Sequence, residues 1–313
     1  LKTHVTETSA KGKAYKNLVS ELAEGKPTVV WCGSTDLSYL GNPLESCGLY
    51  MHTFVIYGVD EEQGLAYGMD RAPASVSLTL EELAQARNRV CSHKNRTLTI
   101  TPVKSITKKK LKEATLSGIR ECLEDLILNP KMKTFSLSGL ETWAKMICND
   151  SNKEGWGKVF DKGWMYCALR DVYSSIETGG TGGGLYRPMY ADFLNEAAEI
   201  TGKPALNEVA EVYDELGKEW SALADAILPN SIAVMKKTKS LMKKQRKAFE
   251  GNKNPKTFLE TTKELRALES KGRADEALSI SNTEQLRESL RDRILTLHQK
   301  ETEAAGLLCE VIK

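Results

Sequence analysis

The chain changes its hydrophobic period once, near residue 107, and this change constrains its fold more than any other feature. Before it, β-branched runs such as Thr28–Cys32 and alternating segments such as Thr97–Val103 are typical of strands. Because these strands follow one another over short turns, the first part is predicted to be α+β. After it, apolar residues recur at the 3.6-residue period of amphipathic helices. The sequence therefore predicts an α+β domain over 1–107 and an all-helical domain over 108–313.

Composition excludes several classes of protein. The 313 residues suffice for two domains with separate cores. Forty-four Lys and Arg against forty-two Asp and Glu leave a formal charge of +2, so no overall field favours nucleic acid or a membrane as a partner. The seven cysteines form no CxxC motif, and the four histidines form no zinc-binding pair. We expect a cytoplasmic protein with reduced thiols, no metal and no cofactor; a homodimer is one assembly that the sequence leaves open.

A predicted hairpin carries the strongest candidate for chemistry. Its strands, Tyr50–Val59 and Gly64–Met69, flank the turn Asp60–Gln63. If they pair across that turn, His52 and Asp70 lie side by side at the open end. An imidazole beside a carboxylate is the base and orienter of a nucleophilic triad. The alternative is a half-buried histidine that is hydrogen-bonded to a structural aspartate.

A glycine-rich run, Gly179–Gly184, precedes a predicted helix that begins near Tyr186. It is not a phosphate-binding P-loop, because a helix precedes it and no Lys-Ser/Thr pair follows. Its backbone N–H groups can still hold an anion, and Arg187 adds a charged donor. The alternative is a tight helix crossing where only glycine fits. The candidate substrate-binding residues are Gly182, Gly183, Gly184, Tyr186 and Arg187.

The order of these motifs resembles the butirosin-biosynthesis protein H family. In the family's N-terminal domain, which is similar to papain-like and C39-like cysteine peptidases, the matching segments are Gly25–Val30, Leu37–Leu40, His52–Asp60 and Met69–Arg71. The helical part resembles the domain usually attached to it, through Phe135–Leu140, Trp143–Ala144, Ile176–Arg187 and Tyr190–Ala198. The resemblance spans roughly residues 10 to 230, and the glycine run with Leu-Tyr-Arg after it is its most specific part.

This resemblance implies a thiol-dependent acyltransferase of secondary-metabolite, antibiotic-type biosynthesis. An acyl group passes from an acyl carrier protein, or another thioester donor, through an enzyme thioester to the amine of a small molecule. His52 would be the general base and Asp70 its orienter. Two alternatives remain: a papain-like amidase or peptidase with the same triad, and a catalytically inactive binding or scaffold protein of this fold.

The nucleophilic cysteine is where the sequence departs from the family. Members carry it upstream, at a helix start where the helix dipole lowers its pKa, and no cysteine precedes Cys32 here. We expect the papain-like domain to be N-terminally incomplete, with that cysteine upstream of Leu1. Two alternatives are that the cysteine has been replaced, and that Cys32 or Cys47 serves as the nucleophile. Cys32 ends an apolar strand and is predicted to be a core residue, whereas Cys47 lies in a loop without a helix terminus.

Overall fold

A computed structural model describes residues 2–40, 51–70, 75–101, 105–178, 183–250 and 255–313 of the chain. These residues form two compact units. Unit 1 comprises residues 1–105 and 244–263, and unit 2 comprises residues 106–243 and 264–313.

Unit 1 is built on one antiparallel sheet with two helices in its N-terminal part. Its six described strands lie in the spatial order first, sixth, second, third, fourth, fifth. Short 3₁₀ turns cover Ser34–Asp36 and Ser38–Leu40. The elements, in chain order, are β1 (Thr3–Thr6), α1 (Lys11–Ala23), β2 (Thr28–Gly33), β3 (Met51–Asp60), β4 (Leu65–Met69), β5 (Ser75–Thr79), α2 (Leu80–Arg89) and β6 (Thr97–Ile100).

The core of unit 1 lies between the two helices and one face of the sheet. Alternate residues of the central strands, including Val30, Phe54 and Ile56, are buried there. Leu18 of α1 and Leu83 of α2 belong to the same cluster. The period of two in the strands and the apolar stripes of the helices thus meet in one buried layer.

The regular secondary structure in the described part of unit 2 is entirely helical. Two of its helices, α9 and α10 below, extend across the division between the units. The helices are α3 (Lys108–Leu123), α4 (Leu137–Ile147), α5 (Trp156–Val159), α6 (Trp164–Glu177), α7 (Gly183–Thr201), α8 (Ala205–Ile227), α9 (Ala233–Glu250), α10 (Pro255–Arg273) and α11 (Glu284–Ile312).

The helices of unit 2 share one extended apolar core, which α8 enters along its whole length. A buried charge is also accommodated, because the Arg287 guanidinium donates to both carboxylate oxygens of Asp150, at 2.5 and 3.0 Å. It donates further to the backbone carbonyls of Ile147 and Ile280. Both terminal nitrogens thus have acceptors, as a buried charge requires, while Nε has no partner among the described residues.

The predicted α+β class, with an antiparallel sheet followed by a helical region, is confirmed. Two strands, β1 and β5, were not predicted from the sequence. Both are short, four and five residues long, and rich in Thr and Ser. They lie at the two edges of the sheet, where strands need little apolar surface.

Candidate active site

A β-bulge in the hairpin determines which side chains share a face at its open end. The pairing of β3 with β4 shifts register between Ile56 and Gly58. Beyond the bulge, Val55 lies opposite Met69. The next residue, Asp70, therefore lies opposite Phe54, whose side chain is on the buried face of β3. Without the shift, Asp70 would lie in line with Val55, whose side chain points to the other face.

The same register corrects the predicted alignment of the two candidate residues. Asp70 is not directly opposite His52; it is displaced by two residues along the strand, and both side chains lie on one face. Diagonal neighbours of this kind are within reach of long side chains. The predicted hydrogen bond is present, with His52 Nε2 and Asp70 Oδ2 2.6 Å apart.

A third residue, Tyr39, completes a chain of hydrogen bonds. Its hydroxyl donates to Asp70 Oδ2 at 2.9 Å, the same oxygen that bonds to His52. The Asp70 side chain is only 3% exposed, whereas that of His52 is 18% exposed. Burial, together with the Asp70 carboxylate, raises the pKa of Tyr39 above its usual range, so the phenol keeps its proton and remains a donor.

Phe54 packs against both aromatic members of this chain of hydrogen bonds, His52 and Tyr39. The His52 ring stacks on it with centroids 6.3 Å apart, and the Tyr39 ring meets it edge-on at 5.9 Å. Gly68 on β4 makes room for Phe54, because a Cβ at this position would lie 2.9 Å from Phe54 Cε2. Packing as well as hydrogen bonding therefore orients the imidazole.

The segment that carries Tyr39 is held against α2 by polar contacts. Asp36 forms an ion pair with Arg89 and accepts a hydrogen bond from Gln85. The backbone N–H of Ser38 donates to Glu82 Oε1 at 2.6 Å. These contacts position the turn from which the Tyr39 hydroxyl reaches Asp70.

This geometry assigns the proton on the imidazole. An ionised carboxylate only accepts hydrogen bonds, so Nε2 of a neutral His52 carries the proton and donates to Asp70. The lone pair then lies on Nδ1, which has no hydrogen bond within the part of the chain that the structure describes. An imidazole whose tautomer is held by a carboxylate can act as a general base.

The cysteine nearest to His52 along the described sheet is Cys32. The two are direct partners in the β2–β3 ladder, which places their side chains on the same face. Cys32 is completely buried, as the sequence predicted, and burial raises the pKa of its thiol to about 12. Such a thiol is a poor nucleophile at neutral pH. Cys47, the other candidate within the chain, lies outside the described residues.

The glycines predicted to bind substrate lie in unit 2, at the start of α7. Gly182 lies outside the described residues. Gly183 and Gly184 form the first turn of the helix, which begins three residues before the predicted start at Tyr186. A Cβ on Gly183 would lie 2.3 Å from Trp220 Cδ2 on α8, and one on Gly184 would lie 2.6 Å from Ser221 Oγ. These contacts are typical of a close helix crossing, the alternative raised above.

Arg187, one turn further along α7, is held by a buried carboxylate. Its Nε donates to Glu301 Oε1 at 2.7 Å, and Trp220 Nε1 donates to the same oxygen at 2.7 Å. The side chain of Glu301 is 4% exposed and that of Arg187 is 22% exposed. Tyr186 and Arg187 both line a cavity of unit 2.

The described residues contain no group of three or more His, Cys, Asp or Glu side chains arranged to hold a metal ion. Nor does any described helix combine the length and the apolar character that a membrane crossing requires.

Sequence reasoning included Tyr39 in a motif but assigned it no role. A tyrosine within a short 3₁₀ turn carries no periodic signal, and its partner Asp70 is 31 residues away. Glu301 was missed for a similar reason, because nothing in the sequence of α11 marks one acid among several as buried. The signal that could have found it was Arg187, a charged residue for which the sequence analysis named no acidic partner.

The fold and this hairpin define an α+β protein in which a histidine, a carboxylate and a phenol form one hydrogen-bonded chain at the open end of a β-hairpin. The chain belongs to the family described as a domain of unknown function (DUF4872), whose model matches residues 81–248, more than half of its length. Residues 1–71, which include His52 and Asp70, match the family model described as Butirosin biosynthesis protein H, N-terminal. The match supports the resemblance to the butirosin-biosynthesis protein H family. No curated protein matches the chain.

Proposed function

We propose that unit 1 is the catalytic part of a papain-like, thiol-dependent acyltransferase that joins an activated acyl group to a small-molecule amine in antibiotic biosynthesis. The observation that carries the proposal is the hydrogen-bonded chain from Tyr39 through Asp70 to His52. The match to the butirosin-biosynthesis protein H N-terminal domain over residues 1–71 supports the biosynthetic setting.

The first half-reaction makes an enzyme thioester. His52 Nδ1 takes the proton of a cysteine thiol, and the thiolate sulfur attacks the carbonyl carbon of the donor thioester. A new C–S bond forms, the donor C–S bond breaks, and the departing thiolate takes the proton from the imidazolium. Asp70 stabilises the positive charge of that imidazolium, and the Tyr39 hydroxyl holds the carboxylate in place.

The second half-reaction forms the amide. The acceptor amine attacks the enzyme thioester, its N–H proton moves to His52 Nδ1, and the enzyme C–S bond breaks. The released thiolate then recovers the proton from the imidazolium. Water in place of the amine would give hydrolysis by the same steps, so acceptor binding and exclusion of water decide between transfer and hydrolysis.

The thiol in this proposal is not Cys32, because its burial and high pKa oppose ionisation. We place it on a cysteine at a helix N-terminus upstream of Leu1, as the family resemblance implies. There the helix dipole favours the thiolate. The donor would be an acyl carrier protein or a smaller thioester.

The test is to incubate the complete native polypeptide with the thioester S-benzoyl-N-acetylcysteamine and to follow benzoylated protein by intact mass. Addition of a primary amine should discharge the adduct as an amide. Because Asp70 holds the imidazole tautomer, Asp70→Asn should slow acylation at least about 100-fold. Asp60→Asn is the matched control, since Asp60 lies at the other end of the hairpin and bonds to Gln63; it should leave the rate unchanged.

Three outcomes would contradict the proposal. They are the absence of a covalent adduct, equal rates for Asp70→Asn and the parent protein, and an adduct that discharges only to benzoate. The last would indicate a hydrolase.

A further inference from the structure

Unit 2 contains a cavity that the chemistry of His52 does not use. It lies among α3, α4, α7, α8 and α11 and has a volume of about 310 Å³. Small-molecule sites in proteins typically measure about 300 to 1,000 Å³. Four aromatic side chains contribute to its wall: Tyr186, Tyr190, Phe193 and Tyr213. The remaining lining is mostly aliphatic, so the cavity suits a compact apolar group.

One ion pair lies in this largely apolar lining. Glu301 is almost completely buried, and its Oε1 already accepts from Arg187 and Trp220. Arg187 is the more exposed partner, and it uses only Nε in this pair. Its Nη1 and Nη2 have no hydrogen-bond partner within the described part of the chain. Arg187 therefore offers the cavity charged N–H donors, alongside the hydroxyls of Tyr186, Tyr190 and Tyr213.

We propose that this cavity binds a small carboxylate with an apolar, preferably aromatic, tail. The two Nη groups of Arg187 form the planar edge that matches a carboxylate bidentately. The aromatic wall would take the tail. A ligand ammonium is disfavoured, because Arg187 is the more exposed member of the ion pair, whereas Glu301, which also lines the cavity, is only 4% exposed. The proposal does not depend on the thiol chemistry of unit 1, and it would stand if that chemistry were disproved.

Cys122 provides a built-in reporter of occupancy. It lines the cavity and is solvent-exposed, so iodoacetamide can reach it in the free protein; labelling is run at alkaline pH, because partial burial raises the pKa of its thiol. The probes are 4-phenylbutyrate and its charge-reversed counterpart 4-phenylbutylamine. We expect 4-phenylbutyrate to bind with a dissociation constant below about 1 mM by calorimetry and to slow labelling of Cys122. The amine should do neither.

Two variants separate the site from general effects. Arg187→Gln combined with Glu301→Gln removes both charges without leaving a buried one unpaired, and it should weaken binding of 4-phenylbutyrate about ten-fold or more. Ala305→Leu fills the cavity from α11 and should abolish binding. The control is Gly306→Ala, a neighbouring exposed position with open space around its Cβ, which should bind as the parent protein does.

The proposal is overturned if 4-phenylbutyrate neither binds nor protects Cys122 in the parent protein. It is also overturned if the amine binds more tightly than the acid, or if Ala305→Leu, shown to be folded by its circular dichroism, binds as well as Gly306→Ala.

Discussion

Asp70 connects the other members of the candidate site, because its Oδ2 accepts hydrogen bonds from both His52 and Tyr39. A buried carboxylate is tolerated only when donors surround it. Tyr39 therefore has two effects that can be measured separately: it stabilises the fold through Asp70, and it orients the carboxylate that in turn orients His52.

Tyr39→Phe removes one of these donors and keeps the ring packed on Phe54. We expect the free energy of unfolding to fall by about 1–2 kcal/mol, because a hydrogen bond to a buried charged group is lost. Tyr57→Phe is the control: Tyr57 is 45% exposed, and its change should stay within about 0.5 kcal/mol. Urea unfolding of both variants tests this, and equal values would show that the Tyr39 hydroxyl stabilises nothing.

The buried thiol of Cys32 predicts a dependence of stability on alkaline pH. Its pKa rises from 9.0 to about 12 on burial, so above pH 9 the unfolded chain loses this proton while the folded chain keeps it. The unfolded state then binds fewer protons, and the free energy of unfolding falls as pH rises towards 12. The slope from one such group is at most about 1.4 kcal/mol per pH unit.

Cys32→Ala removes this contribution. Urea unfolding between pH 9 and 10.5 should therefore show a steeper loss of stability for the parent protein than for the variant, although the variant is less stable at pH 7 because it loses a buried sulfur. Parallel pH profiles would contradict the burial of this thiol.

At the scale of elements, the tight crossing of α7 and α8 depends on glycines of both helices. Gly183 lies against Trp220, and on α8 a Cβ at Gly217 would lie 2.7 Å from Pro188 Cδ. These pairs run in opposite directions along the two helices, which therefore form an antiparallel hairpin. Its close approach brings Trp220 and Arg187 to the same oxygen of Glu301.

Gly183→Ala should therefore destabilise unit 2 by about 2 kcal/mol or more, because the new methyl group overlaps the Trp220 ring. Gly118→Ala is the matched control, since Gly118 is exposed in α3 with open space around it. That substitution should stabilise the protein by about 0.5–1 kcal/mol. Thermal melts of the two variants that shift in the same direction would contradict the close crossing.

How far the sequence predicts these elements depends on whether a local pattern determines them. The long helices and the central strands follow from period and capping; Thr79, for example, caps α2 by accepting a hydrogen bond from the Glu82 N–H, and the sequence Thr-Leu-Glu-Glu has the pattern of such a cap. The bulge at residues 56–58 left no such signal, so the pairing of His52 with Asp70 was predicted with the wrong offset. The start of α7 was also misplaced, because glycine has a low helix propensity and tertiary packing overrides it at Gly183.

At the scale of the whole molecule, helices cover far more residues than strands. The far-ultraviolet circular dichroism spectrum should show the double minimum of a mainly helical protein. A spectrum in which strand exceeds helix would contradict this fold.

The central claim is that His52 and Asp70 activate a thiol. Its most direct test is the rate of iodoacetamide labelling of each cysteine in the complete native polypeptide at pH 7, followed by peptide mapping. We predict one fast-labelling cysteine upstream of Leu1 that His52→Ala slows about ten-fold or more, while Cys32 stays unlabelled. Labelling rates that His52→Ala leaves unchanged at every cysteine would contradict the claim, and the protein would then be a binding module of this fold.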